Sequence, residues 1–194
     1  MKDKLFAFFS KKLVPIISTI LFILFMILVL PYINRLMQDN LGQLSSPDTM
    51  LFYSAETFYS LLLAYGEAGR SLYILLRWTF DLIYPIIYGL FFLSVLTQLM
   101  LHNHKINKTI LWIPLLAVVF DLLENTIATI LMVNFPVRYN ALVYILQIAS
   151  ALKWLMLLIT IILIAYYLIL RINQYIASKR EIRIASKTKN KTEE

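Results

Sequence analysis

Apolar and polar positions along this chain alternate at the scale of whole membrane crossings. From Leu13 to Asn34 no residue is charged, and Lys11, Lys12 and Arg35 bound the run. A bilayer core needs ~20 apolar residues at about 1.5 Å each, so this run predicts a first spanning helix. Its basic start also fits a signal peptide. The apolar region exceeds the usual ~7 to 15 residues, however, and no A-x-A cleavage site follows, so it reads as a retained anchor. From Asn34 to Gly69 the chain turns polar through Asp39, Asn40, Gly42, Ser45 and Ser46, and Ser46-Pro47-Asp48 is a helix-start signal. In the helix expected over about 48–65, Leu51, Phe52, Ala55, Phe58, Tyr59 and Leu62 share one side, with Thr49, Glu56 and Ser60 opposite. That pattern predicts an amphipathic helix in the membrane interface or roofing the bundle. A plain packed external helix and a mobile lid are both compatible with it.

Arg70 to Leu101 is a second apolar stretch, broken by Arg77, Asp81 and Pro85 and longer than the hydrocarbon is thick. A short basic connection, 102–108, leads to a third span over 109–133. The link 134–140 contains Pro136 and Arg138, and a fourth span covers 141–170. The remainder, 171–194, carries seven Lys or Arg against three Glu, repeats Ile-Ala-Ser-Lys at 176–179 and 184–187, and reads as a helix extension fraying into a solvated tail.

The expected fold is therefore all-α: a polytopic membrane protein with a four-transmembrane-helix bundle and an additional extracytoplasmic amphipathic helix. Composition agrees, since 60% of residues are hydrophobic and 15% charged. Orientation follows from the positive-inside rule. Four Lys precede the first span, two lie in the 102–108 link and seven basic residues in the tail, against two over 34–70 and one in the 134–140 link. This places both termini in the cytoplasm and the protein in the cell membrane. The net charge of +7 sits mainly at the two ends of the chain, a topology signal rather than a nucleic-acid surface. No cysteine is present, which removes thiolate metal sites and thiol redox chemistry.

Five ionisable residues fall inside the spans: Arg77 and Asp81 on the second, Asp121 and Glu124 on the third, Lys153 on the fourth. Each costs ~2.5 to 3.5 kcal/mol on insertion scales, so such groups are rarely without a partner or a purpose. Counting rise per residue puts Asp121, Glu124, Lys153 and Asp81 at ~20, ~24, ~27 and ~32 Å from the cytoplasmic face, all in the outer half. At 100° per residue, Pro114, Ala117, Asp121, Glu124, Asn125 and Ala128 form one stripe. Arg77, Asp81, Tyr84, Pro85, Tyr88 and Phe92 form a second, and Ser150, Lys153, Leu157 and Thr160 a third. These stripes are expected to meet, with Arg77 pairing Asp81 along one helix and Lys153 serving Asp121 and Glu124.

The functional reading is a charged intramembrane pocket open to the outer leaflet. Asp121 and Glu124 would be its acid–base or cation-holding pair and Lys153 their charge partner. Arg77 and Asp81 would form a rim, and Tyr84, Tyr88 and Asn125 further ligand contacts. A ligand would reach it between the second, third and fourth helices, beneath the 48–65 helix. The competing reading is a self-satisfied ion network that fixes helix register. Tyr84 and Tyr88 also fit as interfacial anchors, Asn125 as a helix bridge, and Pro85 and Pro114 as kinks with or without a role. His102 and His104 are too sparsely supported for a metal site, and Arg77 and Lys153 oppose one among the three carboxylates. No metal and no cofactor is expected. No GxSxG, Walker A, HExxH or GxGxxG motif occurs. Three functions remain: a small membrane enzyme or binding protein for an amphiphilic, lipid-like small molecule; a proton- or cation-coupled transporter subunit; and an accessory protein bound to another membrane protein. Membrane lipids are the remaining expected partner.

Overall fold

The computed structural model describes residues 2–42, 47, 50, 52–101 and 107–192. His102, His104 and, from the helix-start signal, Ser46 and Asp48 lie outside the described residues, as does Leu51. Every regular element among those described is helical. Four helices are long and apolar enough to cross a membrane: Leu13–Leu41, Ala55–Met100, Lys108–Val133 and Asn140–Arg180. They are called here the first to fourth long helices, and a short helix, Lys2–Phe9, precedes them.

The first long helix does not end at Asn34. It continues to Leu41 and stops at Gly42, whose φ of 65° closes the helix and whose N–H donates to the Gln38 carbonyl. Midway, Phe25–Val29 forms a π-helical turn directly before Pro31. A ring at that position cannot donate to the ladder, and local widening is a known accommodation.

The second long helix starts at Ala55 rather than near Asp48, and Phe52 to Ser54 are not helical. Ser54 explains the start: its hydroxyl accepts from the Thr57 N–H at 3.0 Å, a side-chain cap. Glu56 in the first turn favours the same end of the dipole. Eleven residues on, Gly66 adopts φ 64°, ψ −175° and breaks the helix into two segments. Across that break Arg70 Nη1 donates to the Leu62 carbonyl at 2.9 Å. The Arg70 guanidinium also lies over the Phe135 ring, 4.4 Å from its centroid. The backbone stays helical through Pro85, and Pro114 lies in the first turn of its helix, where no N–H is needed. Gly66, not a proline, makes the bend.

The third and fourth helices pack most extensively on each other, and the second packs on both. A Cβ on Gly89 would lie 2.7 Å from Val118 Cγ2, so this glycine is what lets the second helix approach the third so closely. The segment from Ala55 to Tyr65 folds over the end of the bundle where the third and fourth helices join. Phe58, Tyr59 and Leu62 are buried there with Leu131, Met132, Val143 and Leu146, and Tyr59 Oη accepts from the Tyr139 N–H. At the opposite end Phe9, Leu93, Leu96, Leu99, Met100, Leu111 and Tyr167 form a second apolar cluster. Gln98 Nε2 donates to the Phe9 carbonyl at 3.0 Å, tying the short helix to this end.

In the most apolar stretch of the fourth long helix 11% of residues are buried, against 44% in the second and third. The same 11% holds for the first long helix. Its lower half is held by Phe22, stacked on Phe91 at 4.4 Å, and by Phe25 against Phe80 and Tyr84 at 5.2 and 5.3 Å. Beyond the π turn it touches the second helix at its end, where Leu41 is buried with Tyr65 and Tyr73, Met37 packs on the same cluster, and a Cβ on Gly69 would lie 2.5 Å from Leu41 Cδ2.

Candidate functional site

The five charged residues come together in one layer, at the level where the second, third and fourth helices cross. Lys153 Nζ lies 2.6 Å from Glu124 Oε2 and 3.6 Å from Asp121 Oδ1. The spacing of three between the acids puts both on the face that meets the fourth helix. Tyr88 Oη donates to the other Asp121 oxygen at 2.9 Å. Arg77 and Asp81, one turn apart, are 3.9 Å from each other.

Arg77 is far from a rim position: it is 1% exposed. Its Nη1 donates to Asn125 Oδ1, its Nη2 donates to Tyr73 Oη at 2.9 Å, and the guanidinium lies 4.7 Å from the centroid of the Tyr73 ring. Asn125 Nδ2 in turn donates to the Asp81 carbonyl at 2.9 Å. Asn125 thus bridges helices through both ends of its amide, so that Arg77 is held by the second and third helices together. Tyr84 turns toward the first helix, with Oη 3.6 Å from Met26 Sδ.

Beside this layer is a cavity of about 760 Å³. Arg77, Asp81, Tyr84, Tyr88 and Phe92 of the second helix form one wall, and Lys153, Trp154, Leu157, Leu158 and Ile161 of the fourth form another. The first helix supplies the third wall through Phe22, Leu30, Ile33, Asn34, Met37, Gln38 and Leu41, of which Asn34 and Gln38 are the polar members. The third helix contributes Asp121. The anticipated route between the second, third and fourth helices is therefore replaced by a space between the first, second and fourth. No described residue of the Ala55–Tyr65 segment lines it.

The charged residues divide into two groups. Arg77, Asp81, Asp121 and Lys153 border the cavity, whereas Glu124, 1% exposed, sits behind Lys153 and does not. Asp81 has the most open side chain of the five, 24% exposed against 10% for Asp121 and 9% for Lys153. Two basic and three acidic side chains share one layer. Among the described residues no cluster of three His, Cys, Asp or Glu side chains is arranged to hold a metal ion.

Sequence reasoning missed the wall formed by the first helix. A signal is present, since Asn34 and Gln38 are four residues apart, one turn on the same face, but the uncharged run ends the span at Asn34. Tyr73, which holds Arg77 one turn away, was also overlooked. No protein-family model matches the chain, and neither a curated protein nor a solved structure shows significant similarity to it.

Proposed function

We propose that this is a multi-pass cell-membrane protein, both ends cytoplasmic, that binds a single amphiphilic, lipid-like molecule in the outer half of the bilayer. The observation that carries this reading is the cavity itself. Its volume lies within the ~300 to 1,000 Å³ of small-molecule sites, and hydrocarbon and aromatic walls converge on a few fixed polar groups. It borders the gap between the first and fourth helices, so a tail can lie among the lipids while the head reaches Asp81, Asp121 and Lys153. In this reading the Ala55–Tyr65 helix is the extracytoplasmic roof, and a ligand enters beside the first helix, below the end that Leu41 and Met37 anchor under that roof.

Binding is favoured over transport, because Leu93, Leu96 and Met100 close the other end of the bundle and the polar residues beside them, Ser94, Thr97 and Gln98, are uncharged. It is also favoured over acid–base catalysis by both carboxylates, because Glu124 does not border the cavity. Asp121 and Lys153 are the groups placed to touch a ligand. Glu124 is a positioning residue acting through Lys153, and Asn125 acts likewise through Arg77.

Native mass spectrometry of the protein in a mild detergent tests this. The parent is expected to retain a co-purifying amphiphile, and Leu157→Trp, which fills the cavity, is expected to lose it while keeping its thermal stability. Parent and variant with identical ligand-free masses would overturn the binding reading and leave an ion network that only fixes the bundle.

A further inference from the structure

The cavity wall on the first helix bears on the kind of head group it accepts, a step that rests on the cavity being a ligand site. Asn34 and Gln38 line the cavity one turn apart, whereas Arg35 and Asp39, the charged residues of the same stretch, do not. The helix therefore turns carboxamides, not charges, toward this space. Its contacts with the second helix fix their height. Above, a Cβ on Gly69 would lie 2.5 Å from Leu41 Cδ2; below, Phe25 stacks on Phe80 and Tyr84 at 5.2 and 5.3 Å. Asn34 and Gln38 fall between those contacts, at the height of the wall that carries Tyr73 and Arg77.

The two walls differ in how far their polar groups are already used. Lys153 lies between Glu124 and Asp121, Tyr88 donates to Asp121, and Arg77 is held by Asn125 and Tyr73 beside Asp81. A ligand that brings a charge needs a countercharge that these residues have committed to one another. Among the described residues the Asn34 and Gln38 side chains have no hydrogen-bond partner, so both amides are open to a ligand. Each offers two N–H donors and an acceptor oxygen. A hydroxyl group matches such a wall, because it donates to a carbonyl oxygen and accepts from an N–H. It does so without a net charge, and thus without the cost of desolvating one.

We propose that the ligand is an uncharged amphiphile, a hydroxyl-bearing head of the glycerol type on a hydrocarbon tail, with the head hydrogen-bonded by Asn34 and Gln38. The tail runs toward the apolar side chains of the same cavity, Phe22, Phe92, Leu158 and Ile161.

The test uses the full chain in nanodiscs of a zwitterionic phospholipid. In one version Trp78 and Trp112 are replaced by Phe, so that Trp154 alone reports from the cavity wall. A second version keeps only Trp78, which is exposed and reports amphiphile merely dissolved in the bilayer. The probes share one brominated dodecyl tail, whose bromine quenches tryptophan, and carry a glyceryl, a di-O-methylglyceryl, a trimethylammonium or a sulfate head. Each quenching concentration at Trp154 is read relative to that at Trp78, which corrects for partition into the bilayer. On that scale the glyceryl probe is expected to act at about tenfold lower concentration than each of the other three, the equivalent of one or two net hydrogen bonds. Asn34→Leu combined with Gln38→Leu is expected to abolish that preference while leaving the di-O-methylglyceryl curve unchanged. Asn34→Gln combined with Gln38→Asn, which keeps both amides, is expected to retain it, and Arg35→Gln, on the same helix but off the cavity, to alter nothing. Equal quenching of Trp154 by the glyceryl and di-O-methylglyceryl probes, or a preference for ammonium or sulfate, would overturn the hydroxyl head while leaving an amphiphile site. A glyceryl preference that survives the double leucine variant would overturn the part assigned to Asn34 and Gln38. If no probe quenches Trp154 better than Trp78, the cavity reading fails together with the inference.

Discussion

At one end of the bundle Leu93, Leu96, Leu99, Met100 and Leu111 fill the space between helices with hydrocarbon, and Phe9 and Tyr167 complete the seal. Toward the other end the same helices enclose Arg77, Asp81, Asp121, Glu124 and Lys153 beside an open cavity, under a roof of Phe58, Tyr59 and Leu62. In the membrane reading proposed above, the hydrophobic effect does not favour one apolar contact over another, so close packing is what holds the sealed end. The charged end is held by pairings that must all be present, because a buried ion left without its partner costs far more than the pair gains. One end is tolerant and additive; the other is all-or-none.

The largest expected effect follows from that contrast. Lys153→Met strands Asp121 and Glu124 and is expected to destabilise by about 3–5 kcal/mol in thermal unfolding, with much of the loss restored when Asp121→Asn and Glu124→Gln are added. A Lys153→Met protein as stable as the parent would erase the difference between the two ends. Next, Leu96→Ala in the sealed end is expected to cost about 2–5 kcal/mol through the cavity it leaves. Retention of the co-purifying amphiphile is expected to be unchanged, and its loss in native mass spectrometry would show that the ends are coupled. Gly66→Ala forces a Cβ into a left-handed backbone where no atom crowds it. It is expected to cost about 1–2 kcal/mol, read as faster amide exchange over 55–65 with the lower cluster unaffected. Smallest is the ion pair of the sealed end, Lys108 to Asp3 at 2.5 Å. It is as short as Lys153–Glu124, but the Asp3 side chain is 84% exposed. Asp3→Asn is expected to change the melting transition by no more than about 1 kcal/mol.

The charged layer was largely legible in the sequence, because charge in an apolar run is conspicuous and helix periodicity fixes its face. Asp121 and Glu124 three apart, with Lys153 at matching depth on the next span, predict the trio that the structure brings to 2.6 and 3.6 Å. The cavity was not legible. Its outer wall is the half of the first helix from Leu30 to Leu41, whose two charged residues, Arg35 and Asp39, do not line the cavity, so that only the uncharged Asn34 and Gln38 mark that face. Arg77 read as a rim residue because its depth along the helix is shallow. Its burial comes from tertiary partners, Asn125 and Tyr73, that no local pattern announces. The start of the second helix was misplaced because Ser46-Pro47-Asp48 and Ser54 are both good caps. Only packing of Phe58, Tyr59 and Leu62 against the third and fourth helices decides between them.

The placement of Lys153 between two acids of the preceding helix also bears on how the chain is made. In the multi-pass reading proposed above, the third helix leaves the ribosome carrying two carboxylates, each costing ~2.5 to 3.5 kcal/mol to insert alone, and their countercharge arrives only with the fourth. The connection at 134–139 is short, so the two helices can enter lipid as a hairpin with the ammonium already between the acids. Partition of the third helix is thus tied to synthesis of the fourth: a ribosome stalled before Lys153 leaves a segment that the translocon has reason to hold back.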